Sequence, residues 1–143
     1  MKIVKFALPV ITFVLAIAAC SKNNNDTNTA LTVQNISGKY VVKGLVWTYA
    51  GVNFNLYDSF PACEKDNYVL LNSDKTLNYI DDGEVCDPSS EDNGTWDVRN
   101  DSIIFSSQFD NAKINSFDGT TLVLLGNPEG ETDVIATTTL QRQ

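Results

Sequence analysis

The chain of 143 residues carries 18 acidic and 10 basic side chains and no histidine, which gives a formal net charge of −8. This charge argues against nucleic acid as a partner, because binding to phosphates requires lysine and arginine. The lack of histidine excludes Ser-His-Asp and Cys-His nucleophiles and histidine-based zinc sites. An enzyme of this composition would have to work through carboxylates, lysine, tyrosine or a carboxylate-bound metal. The length corresponds to one domain.

The first 19 residues have the pattern of a signal peptide. Residues 1–5 include two lysines, and residues 6–18 form an apolar run interrupted only by Pro9 and Thr12. A signal peptide needs about 7–15 apolar residues. A membrane-spanning helix needs about 20. The pattern therefore predicts a cleaved leader and not a membrane span.

Residues 15–20 read Leu-Ala-Ile-Ala-Ala-Cys and resemble a bacterial lipobox, after which the precursor is cut and the new N-terminal cysteine is acylated. The resemblance implies that the mature chain begins at Cys20 and hangs by palmitate-type lipid chains from a membrane outside the cytoplasm. Two or more such chains give stable anchoring. Ser21 is not the acidic residue associated with inner-membrane retention, so the resemblance implies the outer membrane, on its periplasmic face or at the cell surface. An ordinary signal peptide cut after Ala19 is the alternative.

The mature chain is predicted to begin with a flexible tether. Residues 21–29 are polar and lack aromatic side chains, a composition typical of disorder. Residues 20–35 are therefore interpreted as the lipidated cysteine and a disordered tether, and residues 36–143 as the folded domain. Loss of residues 1–19 leaves 124 residues, and because that leader holds two lysines and no acid, the net charge becomes −10.

From residue 37 onward the pattern predicts an all-β fold and no helix. Short β-branched and aromatic runs alternate with clusters of Asn, Asp, Gly and Ser, which is typical of strands joined by turns. Eight antiparallel strands in up-and-down order predict a closed barrel that holds side chains or one small ligand. The predicted strands are residues 39–49, 67–72, 76–80, 95–99, 102–107, 112–117, 120–125 and 133–141, with long loops at 50–66 and 81–94.

Two cysteines remain besides Cys20. In an extracytoplasmic compartment an even pair is interpreted as a disulfide, so Cys63 and Cys86 are predicted to be bonded. The bond would connect the two long loops at one end of the barrel and would contribute about 3–4 kcal/mol in the chain-entropy model. Two free thiols are the alternative.

Several short motifs follow one another along the domain: residues 36–40 (ISGKY) with Tyr40 in an aromatic position, 63–68 (CEKDNY), 72–76 (NSDKT) with Lys75 in place of a glycine, Cys86, 94–98 (GTWDV), Ile114 and 122–124 (LVL). In order and spacing they resemble the lipocalin-like domain found in many small lipoproteins of Bacteroidota. The resemblance covers residue 36 to the C-terminus. It implies a barrel with a disulfide and implies no defined reaction.

Alternation along the strands predicts which side chains face the barrel interior. Lys39 and Lys43 should face water, which turns Tyr40, Val42 and Gly44 inward. The same alternation predicts that Val134 and Ala136 on the last strand face inward. One hypothesis is an apolar cavity for a small hydrophobic or amphipathic ligand, and the alternative is a filled core. The predicted ligand-lining residues are Tyr40, Val42, Leu77, Tyr79, Trp96, Val98, Leu122 and Leu124.

The first long loop and its flanks are rich in aromatic residues interleaved with asparagines. Exposed rings and amides suit a protein or glycan partner. The alternative is that the rings form the loop's own small core over the barrel mouth. The residues of this possible partner loop are Trp47, Tyr49, Phe54, Tyr57 and Phe60.

Two further patterns are weaker. An acidic cluster in the second long loop suits calcium in its oxygen content but not in an EF-hand spacing, so it is interpreted as a solvated loop, and no metal site is predicted. Residues 101–103, Asp-Ser-Ile, resemble a short O-glycosylation motif of Bacteroidota envelope proteins, with Ser102 as acceptor. The members of the acidic cluster are Asp81, Asp82, Glu84, Asp87, Glu91 and Asp92.

Together these features predict a non-enzymatic outer-membrane lipoprotein that needs no cofactor and binds a small hydrophobic or amphipathic ligand in a lipocalin-like barrel. The alternative is a solid-core structural or interaction subunit of an envelope complex, which contacts a protein or glycan partner through the loop at 50–66. A carboxylate-based enzyme is the third reading.

Overall fold

A computed structural model describes residues 29–128 and 131–143 of the chain. The predicted signal peptide, Cys20 and most of the predicted tether lie outside the described residues. Two four-residue helices, α1 and α2, and one 3-10 helix accompany nine strands, and none of the helices in the described ranges is long and apolar enough to cross a membrane. In chain order the elements are α1 Val33–Ile36, β1 Gly38–Tyr49, β2 Val52–Asn55, the 3-10 helix Tyr57–Ser59, α2 Ala62–Lys65, β3 Tyr68–Leu71, β4 Thr76–Ile80, β5 Asp92–Arg99, β6 Ser102–Ser106, β7 Ala112–Phe117, β8 Thr121–Gly126 and β9 Val134–Arg142.

Eight of the nine strands close into the predicted up-and-down barrel. β1 and β3 to β9 pair antiparallel with their neighbours, and β9 returns to β1 with Tyr40 opposite Arg142 and Tyr49 opposite Val134. Closure satisfies the backbone of a β-rich chain without long exposed edges. The all-β, eight-stranded prediction is confirmed, and the strand limits agree with the expected ones within three residues.

The segment predicted as the first long loop is more regular than expected. Val52 and Phe54 alternate with asparagine in β2, which folds back on the outer part of β1 and places Phe54 opposite Trp47. The segment also contains the 3-10 helix and α2. The prediction that no helix follows residue 37 is therefore wrong for these two single turns, which are too short to show a helical period.

The folded domain begins before residue 36. Thr32 caps α1 by accepting a hydrogen bond from the backbone N–H of Asn35, and Leu31 and Val33 pack against the barrel core. The last residues of the segment predicted as a disordered tether therefore belong to the domain, because their apolar side chains are partly buried against its core.

A β-bulge in β1 reverses the facing of the residues that follow it. The register with β9 shifts between Val42 and Gly44, so that Lys43 is the extra residue. Gly44 lies beside the outward side chain of Thr139, and the expectation that it faces inward is wrong. A bulge opposes two residues to one and so changes the phase of the pleat.

One end of the barrel, here called the closed end, carries the short turns 72–75, 100–101 and 118–120 and is covered by α1. Arg142 is its central side chain and lies over the rings of Tyr40 and Phe117, at 5.3 and 5.2 Å. Its guanidinium donates hydrogen bonds to four oxygens: Tyr40 Oη at 2.7 Å, the carbonyls of Gly119 at 2.8 Å and Ser37 at 3.1 Å, and the carbonyl of Asn35. One side chain thus joins α1, β1, β9 and the β7–β8 turn.

Large side chains fill the interior next to the closed end. The indole N–H of Trp96 donates to the carbonyl of Asn72 at 2.9 Å, and the hydroxyl of Tyr40 donates to the carbonyl of Ile36 at 2.7 Å. Burial raises the pKa of Tyr40, an effect that the nearby charge of Arg142 opposes. The fully buried hydrophobic side chains include Ile36, Tyr40, Leu71, Leu77, Trp96, Ile103 and Leu122.

In the turn between β3 and β4, Lys75 occupies the position at which the resembling motif has glycine. Lys75 has a φ of 71°, a left-handed conformation that glycine adopts more readily. Its amine forms an ion pair with Asp97 at 3.0 Å, and the backbone N–H of Trp96 donates to its carbonyl at 2.9 Å. These contacts hold the lysine in the turn.

The opposite end, here called the open end, carries the long connections. Its four open-end segments are residues 50–67, 81–92, 107–111 and 127–133. The Cys63–Cys86 disulfide, with Cα atoms 5.3 Å apart, joins α2 to the β4–β5 connection, and the predicted bond between the two long loops is confirmed.

Two buried polar side chains organise the same end. Asn67 donates to Ser90 Oγ at 3.0 Å and accepts from the backbone N–H of Asp82 at 3.0 Å. Asp81 accepts from the backbone N–H groups of Ser90, at 3.0 Å, and Cys86, at 3.2 Å. These bonds, with that from Ser90 the strongest, lower the pKa of Asp81 despite its desolvation. The long β4–β5 loop is therefore held by internal hydrogen bonds.

Candidate functional site

The interior of the barrel at the open end contains a cavity of about 320 Å³. Its walls come from the inward faces of the strands, and exposed Gln108, Asp110 and Asn127 stand at its rim. The lining residues are Val42, Leu45, Trp47, Val69, Leu71, Tyr79, Phe105, Gln108, Phe109, Asp110, Ala112, Leu124, Gly126, Asn127, Pro128, Ala136, Thr138 and Leu140.

The cavity exists because several inward positions of β7, β8 and β9 near the open end are small. Ala112, Gly126, Ala136 and Thr138 occupy the places of β7, β8 and β9 that face it. The inward positions near the closed end hold Trp96 and other large side chains instead. Since an eight-stranded barrel is just wide enough for its own side chains to fill, short side chains leave space for a ligand.

The bulge of β1 supplies the aromatic wall. Beyond Lys43 the odd-numbered residues face inward, so that Leu45 and Trp47 line the cavity. Phe54, opposite Trp47, and Tyr49 are half or more exposed. Directly opposed residues of an antiparallel pair project from the same face. An apolar strip therefore continues from the cavity wall onto the β1–β2 hairpin.

Phe109 lies in the open-end segment 107–111 and packs into the mouth. Its ring meets Tyr79 edge to face, with centroids 5.4 Å apart, and lies 5.8 Å from the ring of Phe105. The segment is tied down at both ends, because Asp92 accepts from the backbone N–H of Gln108 at 2.9 Å and Asn111 accepts from the backbone N–H of Phe105 at 2.7 Å.

The pairing between β6 and β7 is the shortest strand pairing of the barrel. Their Cα register contains only Ser102 opposite Lys113 and Ile103 opposite Ala112. Beyond this point the hydrogen bond that the backbone N–H of Phe105 donates to the Asn111 side chain bridges the strands. The wall beside Phe105 is thus held by a side chain and not by a continuous ladder.

The predicted ligand-lining residues divide between the two ends. Three of the eight line the cavity: Val42, Tyr79 and Leu124. The other five belong to the packed core and not to the cavity: Tyr40, Leu77, Trp96, Val98 and Leu122. An apolar cavity and a filled core, the two alternatives from the sequence, therefore both occur, at different heights of one barrel.

The predicted partner loop also divides. Trp47 lines the cavity, and Tyr57 and Phe60 contact each other with ring centroids 5.7 Å apart. Tyr49 and Phe54 are the two members that are largely exposed. The interpretation as a loop with its own small core fits Tyr57 and Phe60, whereas Tyr49 and Phe54 stay available to a partner or a ligand.

The acidic cluster does not gather into a metal site. Within residues 29–128 and 131–143, no group of three or more carboxylate or thiol side chains is placed to hold a metal ion. Asp81 and Asp92 instead accept backbone hydrogen bonds that shape the open end. Ser102 is half-buried at the start of β6, where its hydroxyl donates to Asp101. Cys20 lies outside the described residues.

Sequence reasoning missed the part of the site that depends on irregular backbone. Leu45 lies beyond the bulge, and Gln108, Phe109 and Asp110 lie in a connection between strands. The aromatic ring of Phe109 in a short polar segment was a signal for a side chain that returns to the core. The inward alternation predicted for β9 includes Ala136, which does line the cavity.

Comparison with known protein families identifies the domain. A family model described as a lipocalin-like domain matches residues 34–124, more than half of the chain. The match runs from α1 into β8, and β9 closes the same barrel beyond it. Comparisons with curated proteins and with solved structures gave no match. By its family match, and by a barrel with an apolar interior, this chain belongs to the lipocalin-like domain family.

Proposed function

We propose that this protein is a lipid-anchored lipoprotein of the outer membrane whose barrel binds a small hydrophobic or amphipathic molecule without transforming it. The observation that carries the proposal is the apolar cavity of about 320 Å³. This volume is at the lower end of the range for small-molecule pockets, about 300–1,000 Å³. A lipocalin-like domain is in general a binding fold and not an enzyme fold.

The chemistry of the walls fits a ligand with an apolar body. Leu45, Trp47, Phe105 and Leu124 offer hydrocarbon and aromatic surface, and each methylene group that such surface removes from water contributes about 0.8 kcal/mol. The polar rim then suits a polar end that stays near the solvent. The ligand predicted by this arrangement is a single chain or a small ring system with one polar group.

Occupancy is best tested on the mature chain without its lipid, secreted with an ordinary signal peptide so that it begins at Ser21 and forms its disulfide. Native mass spectrometry of this protein, purified from a bacterial envelope or incubated with an envelope lipid extract, should show an added mass that disappears on denaturation. A bare polypeptide mass under both conditions would contradict the proposal.

A matched pair of variants links the added mass to the cavity. Ala136→Phe fills the cavity from its wall, whereas Ile135→Phe changes the neighbouring residue, which is 48% exposed on the outer face. The first variant should lose the ligand and the second should keep it. Equal occupancy in both would place the ligand elsewhere.

The anchor is supported by the lipobox resemblance of residues 15–20 and by the disulfide, a bond typical of extracytoplasmic compartments. We expect the full chain to incorporate labelled palmitate and to fractionate with outer membranes, and the Cys20→Ser variant to lose the label. A precursor cleaved after Ala19 without acylation would contradict this part of the proposal.

A second candidate function is contact with an envelope partner through the β1–β2 hairpin. Its support is the exposure of Tyr49, Val52 and Phe54, which are 54%, 56% and 50% accessible. Exposed apolar residues grouped on one hairpin are typical of an interaction surface. Cross-linking in intact cells should then capture a protein or glycan with the native chain and lose it in Val52→Ser/Phe54→Ser.

A further inference from the structure

The charges around the cavity indicate which kind of polar group the ligand carries. The described residues of the four open-end segments contain twelve carboxylates and one cation, Lys65. Among them Asp110 lines the cavity rim itself. A mouth lined by one sign of charge focuses the electrostatic field and concentrates ions of the opposite sign.

No lysine or arginine of the described residues lines the cavity. Arg142 is enclosed at the closed end. Lys75 and Arg99 approach Asp97, and Lys113 pairs with Asp101.

Lys39 lies over the ring of Tyr68 on the outer face, and Lys43 is exposed at the bulge. Lys65 donates to the carbonyl of Asp58 and faces the Tyr57 ring.

An anionic head group would therefore enter a negative field without a cation to pair with at the described cavity lining. At the rim its charge would be repelled by Asp110 and by the surrounding carboxylates. A cationic head group at the rim gains from Asp110 and from the negative field of the surrounding carboxylates.

We propose that the cavity selects amphiphiles with a cationic polar end, such as long-chain or aromatic amines and quaternary ammonium compounds, accepts uncharged ones less tightly, and rejects fatty acids and other anionic amphiphiles. This inference rests on the proposed binding function and specifies its ligand class. The apolar chain occupies the space between Trp47 and Leu124, and the charged end lies at the rim beside Asp110.

The test compares three probes on the mature, lipid-free chain, each below its micelle concentration: decyltrimethylammonium, octyl glucoside and decanoate. Trp47 in the cavity wall reports binding through its fluorescence, while the other tryptophan, Trp96, is buried at the closed end. The Trp47→Phe variant identifies the signal. Calorimetry gives the affinities, and far-UV circular dichroism verifies that the barrel stays folded.

We expect decyltrimethylammonium to bind at least about 10-fold more tightly than decanoate at low salt, and the ratio to shrink as salt screens the rim. Asp110→Lys should lower this ratio by about threefold or more. Asp101→Lys, which introduces the same change at the closed end, should leave it nearly unaltered.

The outcomes separate the two proposals. Decanoate binding as tightly as the cationic probe, with the expected Trp47 response, would overturn the charge preference and leave the ligand-binding function standing. No Trp47 response and no heat with any of the three probes would count against the binding function itself. An equal effect of Asp110→Lys and Asp101→Lys would assign the preference to net charge and overturn the role of the rim.

Discussion

The closed and open ends of the barrel use the same strands for different purposes. At the closed end short turns, Trp96 and the hydrogen bonds of Arg142 leave the interior filled. At the open end small inward side chains leave a cavity, and loops held by a disulfide and by Asn67 surround it. The difference shows how a small barrel concentrates packing at one end so that the other can stay hollow.

The largest expected effect tests whether the open end depends on its covalent link. Replacement of both Cys63 and Cys86 by serine should lower the free energy of unfolding by about 3–4 kcal/mol, because it releases a closed loop of roughly 24 residues in the unfolded chain. Urea denaturation under non-reducing conditions measures the loss. A loss below about 1 kcal/mol would mean that the hydrogen bonds of Asp81 and Asn67 hold these loops by themselves.

The next effect tests the closed end. Arg142→Met keeps the bulk of the side chain but removes its five hydrogen bonds to four oxygens, and it should lower the free energy of unfolding by about 2–3 kcal/mol. Arg99→Met is the control, since that exposed arginine only approaches Asp97 at 3.8 Å and should matter by less than about 0.5 kcal/mol. The affinity for decyltrimethylammonium should be unchanged in both the Arg142→Met and the Arg99→Met protein. Weaker binding in the folded Arg142→Met protein would show that the two ends are coupled.

A smaller effect on stability but a larger one on binding is expected at the mouth. Phe109→Ala removes the ring that packs on Tyr79 and Phe105 and should cost about 1–2 kcal/mol of stability. Because it enlarges the cavity, it should raise the affinity for longer chains relative to shorter ones in calorimetric titrations. Phe60→Ala, an aromatic change at the same end that does not touch the cavity, should leave this chain-length preference as it is.

The smallest expected effect is a loss of stability at acidic pH. Hydrogen bonds from the backbone of Thr121, then of Thr120, lower the pKa of Asp118 in the β7–β8 turn to about 2. The unfolded pKa is about 3.9, so the folded chain binds fewer protons between these values. The stabilisation is therefore complete above about pH 4 and disappears as the pH falls toward 2.

The direction of this pH dependence can be measured with the Asp118→Asn variant. The difference in urea midpoint between the native protein and the variant should be present at pH 7 and shrink steadily below pH 4. A difference that stays constant from pH 7 to pH 2 would contradict the role assigned to the ionised carboxylate.

Much of the fold follows from local patterns that tertiary contacts did not override. Residues 76–80 and 112–117 match β4 and β7 at both ends, because alternating apolar residues bounded by turn residues behave similarly in any antiparallel sheet. The Cys63–Cys86 bond followed from the pair of cysteines that remains besides Cys20 and from the predicted extracytoplasmic location. The cavity-lining set followed only in part, because alternation identifies inward residues without showing where along the barrel they are large or small.

By itself the sequence determined an all-β barrel with a disulfide, and a charge and composition that exclude histidine chemistry and disfavour nucleic acid; the leader and its lipobox pattern stay predictions. Only the tertiary structure decided that Lys43 forms a bulge that brings Trp47 into the wall, that Phe109 returns from a loop to the mouth, and that Arg142 holds the closed end. The physical reason is that periodicity is a local property. A cavity depends on side-chain volumes that several distant strands bring to the same height of the barrel.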